Sequence, residues 1–493
     1  MISTFFGIEI ARRSIQTATE DINVVGHNVA NASTTGYTEE VAQNTATDPY
    51  TVPMLNNPEP GQFGTGVEVS QITRQTDPWV NQEVNNSDST LYYWENLNNE
   101  LQVAQSAFQE PTSIGLQSAM DTFFTAWQTL SEDPTNMGAR ASVVSDANQL
   151  IDDFHTSSSM LSQTATDIQN EMNGDVSTIN QMAQQIAGLD QQIASISAQG
   201  EQPNDLEDNR DLLINQLSQL VPTSVTNYDN GTADVSIYGQ QLVSASSSVA
   251  NTVTMATVAD TGSYSEDGNP YDNELVINGS TVNLTSTTYS TSGGLTGLEA
   301  ARQKTENYLQ QLDILALNLA NQVNAQHEQG YGLVGSTWAV QGIAFFNTIS
   351  TTVGAAAALS LSDSIANPGG PGPNLDALAA TTTISDPRDG SNALAMYNLQ
   401  SATIAALNNS TFDAYYESTV ETVGADVHNA TQMQTTAQAT NTQLVNMQQS
   451  VSGVSTDEEL TKLVQFQYAY QAAAKFLTLQ DTLLDTLINK TLT

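Results

Sequence analysis

Residues 8–29 read IEIARRSIQTATEDINVVGHNV, and their apolar side chains keep one spacing throughout. The steps alternate between three and four residues and join Ile8, Ala11, Ile15, Ala18, Ile22, Val25 and Val29. This alternation is a heptad seam, which is typical of a helix that packs along a narrow stripe against another helix. A helix on a broad core has a wider apolar face. The segment therefore predicts a helix that needs a helical partner.

The other end of the chain carries the same spacing. Residues 457–490 read DEELTKLVQFQYAYQAAAKFLTLQDTLLDTLINK, with a seam at Leu463, Phe466, Tyr470, Ala473, Leu477, Gln480, Leu484 and Leu487. Only Gln480 interrupts it with a polar side chain. Ser455 and Glu458 have the spacing of a capping box, in which the Ser side chain and the Glu side chain each accept a hydrogen bond from the backbone N–H of the other residue. The pattern predicts a second narrow-faced helix that starts near Ser455.

Each end helix is a candidate partner for the other, which would make a two-helix coiled coil. Such a short seam is marginal alone, because helices gain most of their stability from packing. One hypothesis is that neighbouring subunits complete it; the alternative is a finished intramolecular hairpin. The predicted subunit-packing residues are Ile8, Ile15, Ile22, Val25, Val29, Leu463, Phe466, Tyr470, Leu477, Leu484 and Leu487.

The interior of the chain also favours helices. Long stretches lack proline, which costs roughly 3 kcal/mol inside a helix. Apolar stripes with helical spacing lie within 168–196, 206–220, 309–323 and 420–451. The last stripe includes three polar residues, and polar residues in a seam lower stability but fix register. They are Gln434, Asn441 and Gln448.

Residues 222–293 change character, because Thr, Ser, Val, Asn and Gly dominate there. Asn230-Gly231 and Asn278-Gly279 stand between β-prone runs, as in two-residue hairpins. This stretch predicts a small β domain inserted between helices. Residues 335–389 are rich in Gly, Ala and Pro in places and predict loops with short elements.

The predicted fold class is therefore mainly α with an inserted β domain (α+β), in an elongated multi-domain chain. Three domains are expected. They are a terminal coiled-coil domain of 1–45 and 455–493, a helical rod-like domain of 46–221 and 294–454, and a β domain of 222–293.

Composition excludes several functional classes. The 493 residues include 53 acidic and 11 basic side chains, for a formal net charge of −42. Nucleic acid and anionic membrane surfaces are poor partners for such a chain, because both attract clustered Lys and Arg. The chain has no cysteine, so disulfides and thiolate sites are excluded. No stretch predicts a cleaved signal peptide or a membrane span.

No pattern of catalytic residues is apparent. The sequence lacks a nucleophile elbow, a P-loop and an H-E-x-x-H motif. Its four histidines are His27, His155, His327 and His428, and they have no metal-ligand spacing. We expect no enzyme activity, no catalytic, cofactor-binding or metal site, and no cofactor.

The segment GHNVANASTTGYTEE, residues 26–40, resembles the signature of flagellar rod, hook and hook-associated axial proteins. The matching positions are Asn28, Ala30, Asn31, Thr34, Gly36 and Tyr37. Thr35 and Glu39 depart from it, since the family usually has Pro and often a basic residue there. The preceding FFGIEIARRSI, the terminal helix, and residues 203–221 and 315–333 are similar to hook-associated proteins of the FlgK type, the first hook-associated proteins.

The resemblance implies a structural subunit of the bacterial flagellum at the hook–filament junction. It implies export through the flagellar type III system and an extracellular location. The implied partners are further copies in a homo-oligomeric ring, the hook protein, the second junction protein, and an export chaperone at the C-terminal region. The alternative is an outward-facing adhesin or binding role carried by the β insertion; an enzyme is the third possibility.

Overall fold

The computed structural model describes residues 5–50, 62–108, 115–247, 249–259, 271–284, 288–289, 291–334, 337–341, 343–367, 369–386 and 388–490. Within them, the α-helices are α1 (Phe6–Asn31), α2 (Pro78–Ser106), α3 (Leu116–Glu132), α4 (Met137–Ser197), α5 (Asn204–Leu220), α6 (Gly294–His327), α7 (Ala355–Ala358), α8 (Asp363–Ala366), α9 (Ser391–Asn398), α10 (Phe412–Ser452) and α11 (Thr456–Asp485). A π-helical turn, Thr486–Lys490, follows α11.

The strands form small antiparallel sheets. Their bounds are β1 (Glu40–Ala46), β2 (Val67–Arg74), β3 (Thr223–Asn227), β4 (Ala233–Ile237), β5 (Gln240–Ser244), β6 (Val249–Ala250), β7 (Val253–Ala259), β8 (Tyr271–Ile277), β9 (Ser280–Asn283), β10 (Tyr331–Val334) and β11 (Thr337–Gln341). The sheet orders are β1-β2, β3-β4-β5-β6, β7-β8-β9 and β10-β11. Helices thus dominate, and the described sheets other than β1-β2 lie in the middle of the sequence, which confirms the predicted class of a mainly α fold with an inserted β region.

The chain forms two compact units. The first unit comprises Met1–Ser89, Thr178–Thr252 and Gln438–Thr493, and the second comprises Thr90–Ser177 and Val253–Ala437. The predicted β region forms two sheets, β3–β6 in the first unit and β7–β9 in the second. Strand patterning alone does not reveal which helices a sheet packs against. The predicted limits of the terminal coiled-coil domain stay a prediction.

The β3–β6 sheet is held by hydrogen bonds to helices of the first unit. Gln82 of α2 donates a hydrogen bond to the Thr223 carbonyl at 3.0 Å. Fully buried Arg210 of α5 lies 3.4 Å from the Asp190 carboxylate of α4, and it also bonds the Gly231 carbonyl of the β3–β4 connection. A buried cation thus joins two helices to one turn of the sheet.

The observed hairpin turns agree in part with the turns predicted from the sequence. Asn278 and Gly279 both have positive φ between β8 and β9, as a two-residue turn requires. The β3–β4 connection is longer than predicted, because the Tyr228 N–H bonds the Thr232 carbonyl at 2.9 Å. The sequence analysis missed a further two-residue turn between β4 and β5, where Tyr238 and Gly239 have positive φ.

The second unit has an aromatic core. Phe123, Trp127, His327, Phe345 and Phe346 are all fully buried. Ring centroids of neighbouring pairs lie 4.8 to 6.4 Å apart, within the range of favourable aromatic contacts. These side chains come from α3, the end of α6 and the loop-rich stretch after β11, so the core fastens that stretch to helices.

Candidate subunit-packing site at the chain termini

Helices α1 and α11 pack against each other in antiparallel register within the first unit. Asn28 of α1 donates to the Glu459 carboxylate of α11 at 2.9 Å. At the other end of the pair, a Cβ on Gly7 would lie 2.6 Å from the Gln480 side chain. The two contacts are equally far apart along each helix, so the register is kept between them. Gln480 interrupts the predicted seam because its side chain lies over a glycine.

Most of the predicted packing residues lie on the facing sides of this pair. Val25 is buried, and half-buried positions are Ile8, Ile15, Ile22, Leu463, Phe466, Leu477 and Leu484. Val29, Tyr470 and Leu487 are more open, at 37%, 41% and 50% exposure. The predicted seams therefore meet within one chain, and contact of these residues with neighbouring subunits stays a prediction.

A second apolar row runs along the opposite side of α11. We define the outer face of α11 as Leu460, Val464, Tyr468, Phe476, Leu479 and Leu483, all of which are exposed. The sequence analysis missed this face. The signal was present in steps of three, four and eight residues, which keep side chains on one side of a helix. Helix α11 is therefore apolar on both sides, a pattern typical of a helix that becomes buried.

Asn28 joins α1 to the chain segment after it. Only 1% of its surface is exposed. Its Oδ1 accepts from the Tyr37 hydroxyl at 2.8 Å and from the Glu40 N–H at 3.0 Å. Its Nδ2 donates to the Glu40 carbonyl at 2.9 Å, besides its bond to Glu459. One side chain thus connects α1, the start of β1 and α11.

The other signature residues shape the turn after α1. The Asn31 Nδ2 donates to the His27 carbonyl at 3.2 Å, and the Thr34 hydroxyl donates to the Asn31 Oδ1 at 3.2 Å. Gly36 has a φ of 81°, a left-handed conformation that suits glycine. The Tyr37 ring stacks on His27 with centroids 5.4 Å apart. Ala30 is exposed and does not join this network.

Glu39, one of the departures from the family signature, is an ion-pair partner of α11. Lys462 Nζ lies 2.6 Å from Glu39 and 2.7 Å from Glu459. Burial lowers the pKa of Lys462, but its hydrogen bonds to these carboxylates outweigh that effect and raise the pKa above its usual value. The acidic Glu39 thus supplies a carboxylate for a cation on the facing helix.

The same turn is anchored to α5. The Thr38 N–H donates to Asp208 at 2.9 Å, and Arg74 of β2 contacts Asp208 at 2.7 Å. Arg74 also pairs with Glu207 at 2.9 Å and Asp211 at 2.9 Å. Burial raises the pKa of Asp208, while Arg74 and Thr38 act in the opposite direction. The acidic residues Glu207, Asp208 and Asp211 of α5 therefore bind a cation of this chain.

The predicted capping box does not form. Ser455 is the residue before α11, but its side chain makes no capping hydrogen bond. Glu458 instead lies 3.8 Å from Lys462, and the acidic residues Asp457, Glu458 and Glu459 occupy the first turn. These carboxylates suit the positive end of the helix dipole.

A groove of about 1060 Å³ lies in the second unit between α4 and α6. Its charged side chains form ion pairs and hydrogen bonds within the chain. Arg302 pairs with Glu299 at 2.6 Å, and Asp313 accepts the Gly354 and Ala356 N–H groups at 2.8 Å. Among the described residues, no group of three or more His, Asp or Glu side chains could hold a metal ion. No described helix has the length and apolarity that a membrane crossing requires.

Comparison with known proteins identifies relatives over the whole chain. The flagellar hook-associated protein 1 of Bacillus subtilis is 31% identical over 523 residues, which cover 99% of both chains. The flagellar hook-associated protein 1 of Salmonella typhimurium is 25% identical over 575 residues, covering 98% of this chain and 99% of the relative. The protein of the same name from Escherichia coli K12 is 25% identical, with the same coverage.

Family and structure comparisons agree with these relatives. The family model for the helical domain of the flagellar hook-associated protein FlgK matches residues 101–346, and that for the C-terminal region of flagellar basal body rod FlgEFG proteins matches 447–490. The solved structure of the flagellar hook junction protein FlgK from Burkholderia pseudomallei shares the fold, with a TM-score of 0.59 and 18% identity, over 75% of this chain and 100% of that one. Because the Bacillus subtilis relative matches along the whole length, the chain belongs to the flagellar hook-associated protein 1 family.

Proposed function

We propose that this chain is a structural subunit of the bacterial flagellum that forms the junction between hook and filament and is not an enzyme. The names of its relatives support the junction as the place where the chain acts. The curated relatives are hook-associated proteins, and one solved relative is a hook junction protein. Its work is packing against other subunits. We further propose export through the flagellar type III system and residence in the extracellular flagellum.

The outer face of α11 is the observation that carries this proposal. Leu479 and Leu483 are each 55% exposed and Tyr468 is 69% exposed, although they belong to a helix whose other side already packs on α1. Burying a Leu side chain contributes about 1.5–3 kcal/mol, so neighbours that cover this row would gain several such contributions. A helix with two apolar sides is therefore suited to a multi-subunit tube.

The proposed partners are those that the family resemblance implies. The α1–α11 pair contacts further copies in a homo-oligomeric ring, and the ring contacts the hook protein on one side and the second junction protein on the other. In the cytoplasm an export chaperone binds the C-terminal region, where it covers the outer face of α11. The charge of −42 leaves nucleic acid and anionic membranes outside this set.

A charge on the outer face tests the proposal. Leu479→Asp should abolish motility in host cells whose own copy is deleted, because it places a carboxylate where neighbours pack. The purified monomer should melt as wild type does, since Leu479 is 55% exposed. Gln467→Glu is the matched control, because it adds the same charge at an exposed polar position of α11. Normal motility of the Leu479→Asp strain, with junctions assembled, would refute packing through this face.

A further inference from the structure

The last turn of α6 binds two backbone strips of the loop-rich region through side chains. The first strip is 343–346, where the Asn324 Oδ1 accepts the Phe345 and Phe346 N–H groups at 2.9 and 2.8 Å. The second strip is 375–381, which Asn392 of α9 also holds by donating to the Ala379 carbonyl at 2.6 Å. His327, the last residue of α6, touches both strips.

His327 holds each strip with one ring nitrogen. Its Nδ1 lies 2.6 Å from the Ile343 carbonyl oxygen, and its Nε2 lies 2.9 Å from the Ala379 backbone nitrogen. A backbone N–H only donates, so Nε2 accepts and carries no proton. The carbonyl only accepts, so the proton is on Nδ1. The contact therefore requires the neutral ring.

The surroundings disfavour a charged ring. His327 is fully buried between Trp127 of α3, with ring centroids 5.9 Å apart, and Phe345 of the first strip at 5.5 Å. The charged group that acts on it among the described residues is Arg140 of α4, a cation. Arg140 is itself buried and donates to the Leu378 carbonyl of the second strip at 3.0 Å. The first strip has no charged side chain, whereas the second strip contains Asp376, a carboxylate that acts on Arg140 and opposes the lowering of that guanidinium's pKa by burial.

We propose that His327 is an acid-released latch. Protonation of its Nε2 breaks the contacts that hold the strips 343–346 and 375–381. The added N–H then points at the Ala379 N–H, so an accepted hydrogen bond becomes a contact between two donors. The second strip loses this bond, and a second cation stands beside Arg140. Release of the strips uncovers the aromatic core around Trp127.

The pH range follows from the direction of the shift. Burial lowers the pKa of His327 to about 4, and Arg140 acts in the same direction, while the Ile343 carbonyl opposes them. A released ring is in water and has its ordinary pKa near 6.5. The released state therefore binds the proton more tightly, and release becomes easier as the pH falls below about 6.5. Between pH 7 and pH 4, the opening equilibrium should rise about a hundred-fold.

Amide hydrogen exchange of the full chain tests the latch. Exchange of the Phe345, Phe346 and Ala379 amides is measured from pH 7 to pH 4 and corrected for the intrinsic pH dependence of exchange. Wild type should lose about a hundred-fold protection there. His155→Gln is the control, because His155 also bonds a backbone carbonyl, that of Leu359, at 2.8 Å, and should behave as wild type. His327→Gln should show no step in this range.

The comparison also separates the latch from titrating carboxylates. Burial raises the pKa of Asp175 in the second unit to about 6, and both variants keep this group. An equal loss of amide protection in His327→Gln between pH 7 and pH 4 would overturn the proposal. Full amide protection of wild type at pH 4 would also overturn it. If His327→Gln does not fold, NMR of ¹³C-histidine-labelled wild type decides, since the chain has four histidines. The His327 titration must then share its midpoint with the exchange step, and a different midpoint would reject the latch.

Discussion

Asn28 illustrates what single residues do at the chain ends. Its side chain uses both Oδ1 and Nδ2 to join α1, Tyr37, Glu40 and Glu459. The sequence indicated that Asn28 belongs to a signature, but it did not indicate these contacts. Its α11 partner lies 431 positions along the chain, and no local pattern predicts a pair at such a distance.

Asn28→Asp should destabilise the contact between α1 and α11. The change replaces the amide donor with a carboxylate that faces Glu459 in a buried site, and an uncompensated buried charge costs on the order of 3 kcal/mol. Hydrogen exchange of the first turns of α11 measures the loss. Asn31→Asp is the control, because Asn31 is only half-buried and donates to the His27 carbonyl alone.

A double variant tests the stated cause. Glu459→Gln in the Asn28→Asp background removes the facing charge and should restore part of the protection. Equal losses in Asn28→Asp and Asn31→Asp, with no recovery in the double variant, would contradict the role given to Asn28.

Whole helices were predicted from the sequence more accurately than the contacts of single residues. The apolar spacing predicted α1 and α11, and the predicted stripes within 168–196 and 206–220 lie in α4 and α5. Two polar residues of the predicted α10 seam lie in the first unit and bond α2, Asn441 to Asp88 at 2.6 Å and Gln448 to Asn81 at 2.8 Å. Helical periodicity is a local property, so it can be predicted from the sequence alone. The assignment of the β region to two sheets depends on helices that are distant in the sequence, so it was not predicted.

Asn441→Leu should destabilise the first unit by about 2 kcal/mol, because it removes a partner of a buried carboxylate. Burial raises the pKa of Asp88, and its bonds to Asn215 and Asn441 lower it, so the amide of Asn441 helps to keep this group charged. Chemical denaturation of the purified chain measures the change. Thr442→Leu, at the next and exposed position, should change stability by less than about 0.5 kcal/mol. Equal effects of the two substitutions would mean that the buried bond does not stabilise the pair.

At the scale of the whole molecule, charge and apolar surface have separate roles. Several of the 11 basic residues serve contacts within the chain, among them Arg74, Arg210, Arg302, Lys304 and Lys462. The formal net charge of −42 opposes the close approach of two copies. The proposed packing between copies therefore needs apolar surface, and the outer face of α11 offers it. Composition predicted the acidity, but it did not predict where the apolar surface would lie.

The most direct measurement is the reactivity of one thiol before and after assembly. The chain has no cysteine, so Leu479→Cys carries a single thiol on the outer face of α11. Ser162→Cys is the control, at an exposed position of α4 in the second unit. Both should react with a maleimide in the purified monomer. In assembled flagella, the thiol at position 479 should be protected and the thiol at position 162 should still react. Equal labelling of position 479 in monomer and flagellum would contradict the claim that neighbouring subunits cover the outer face of α11.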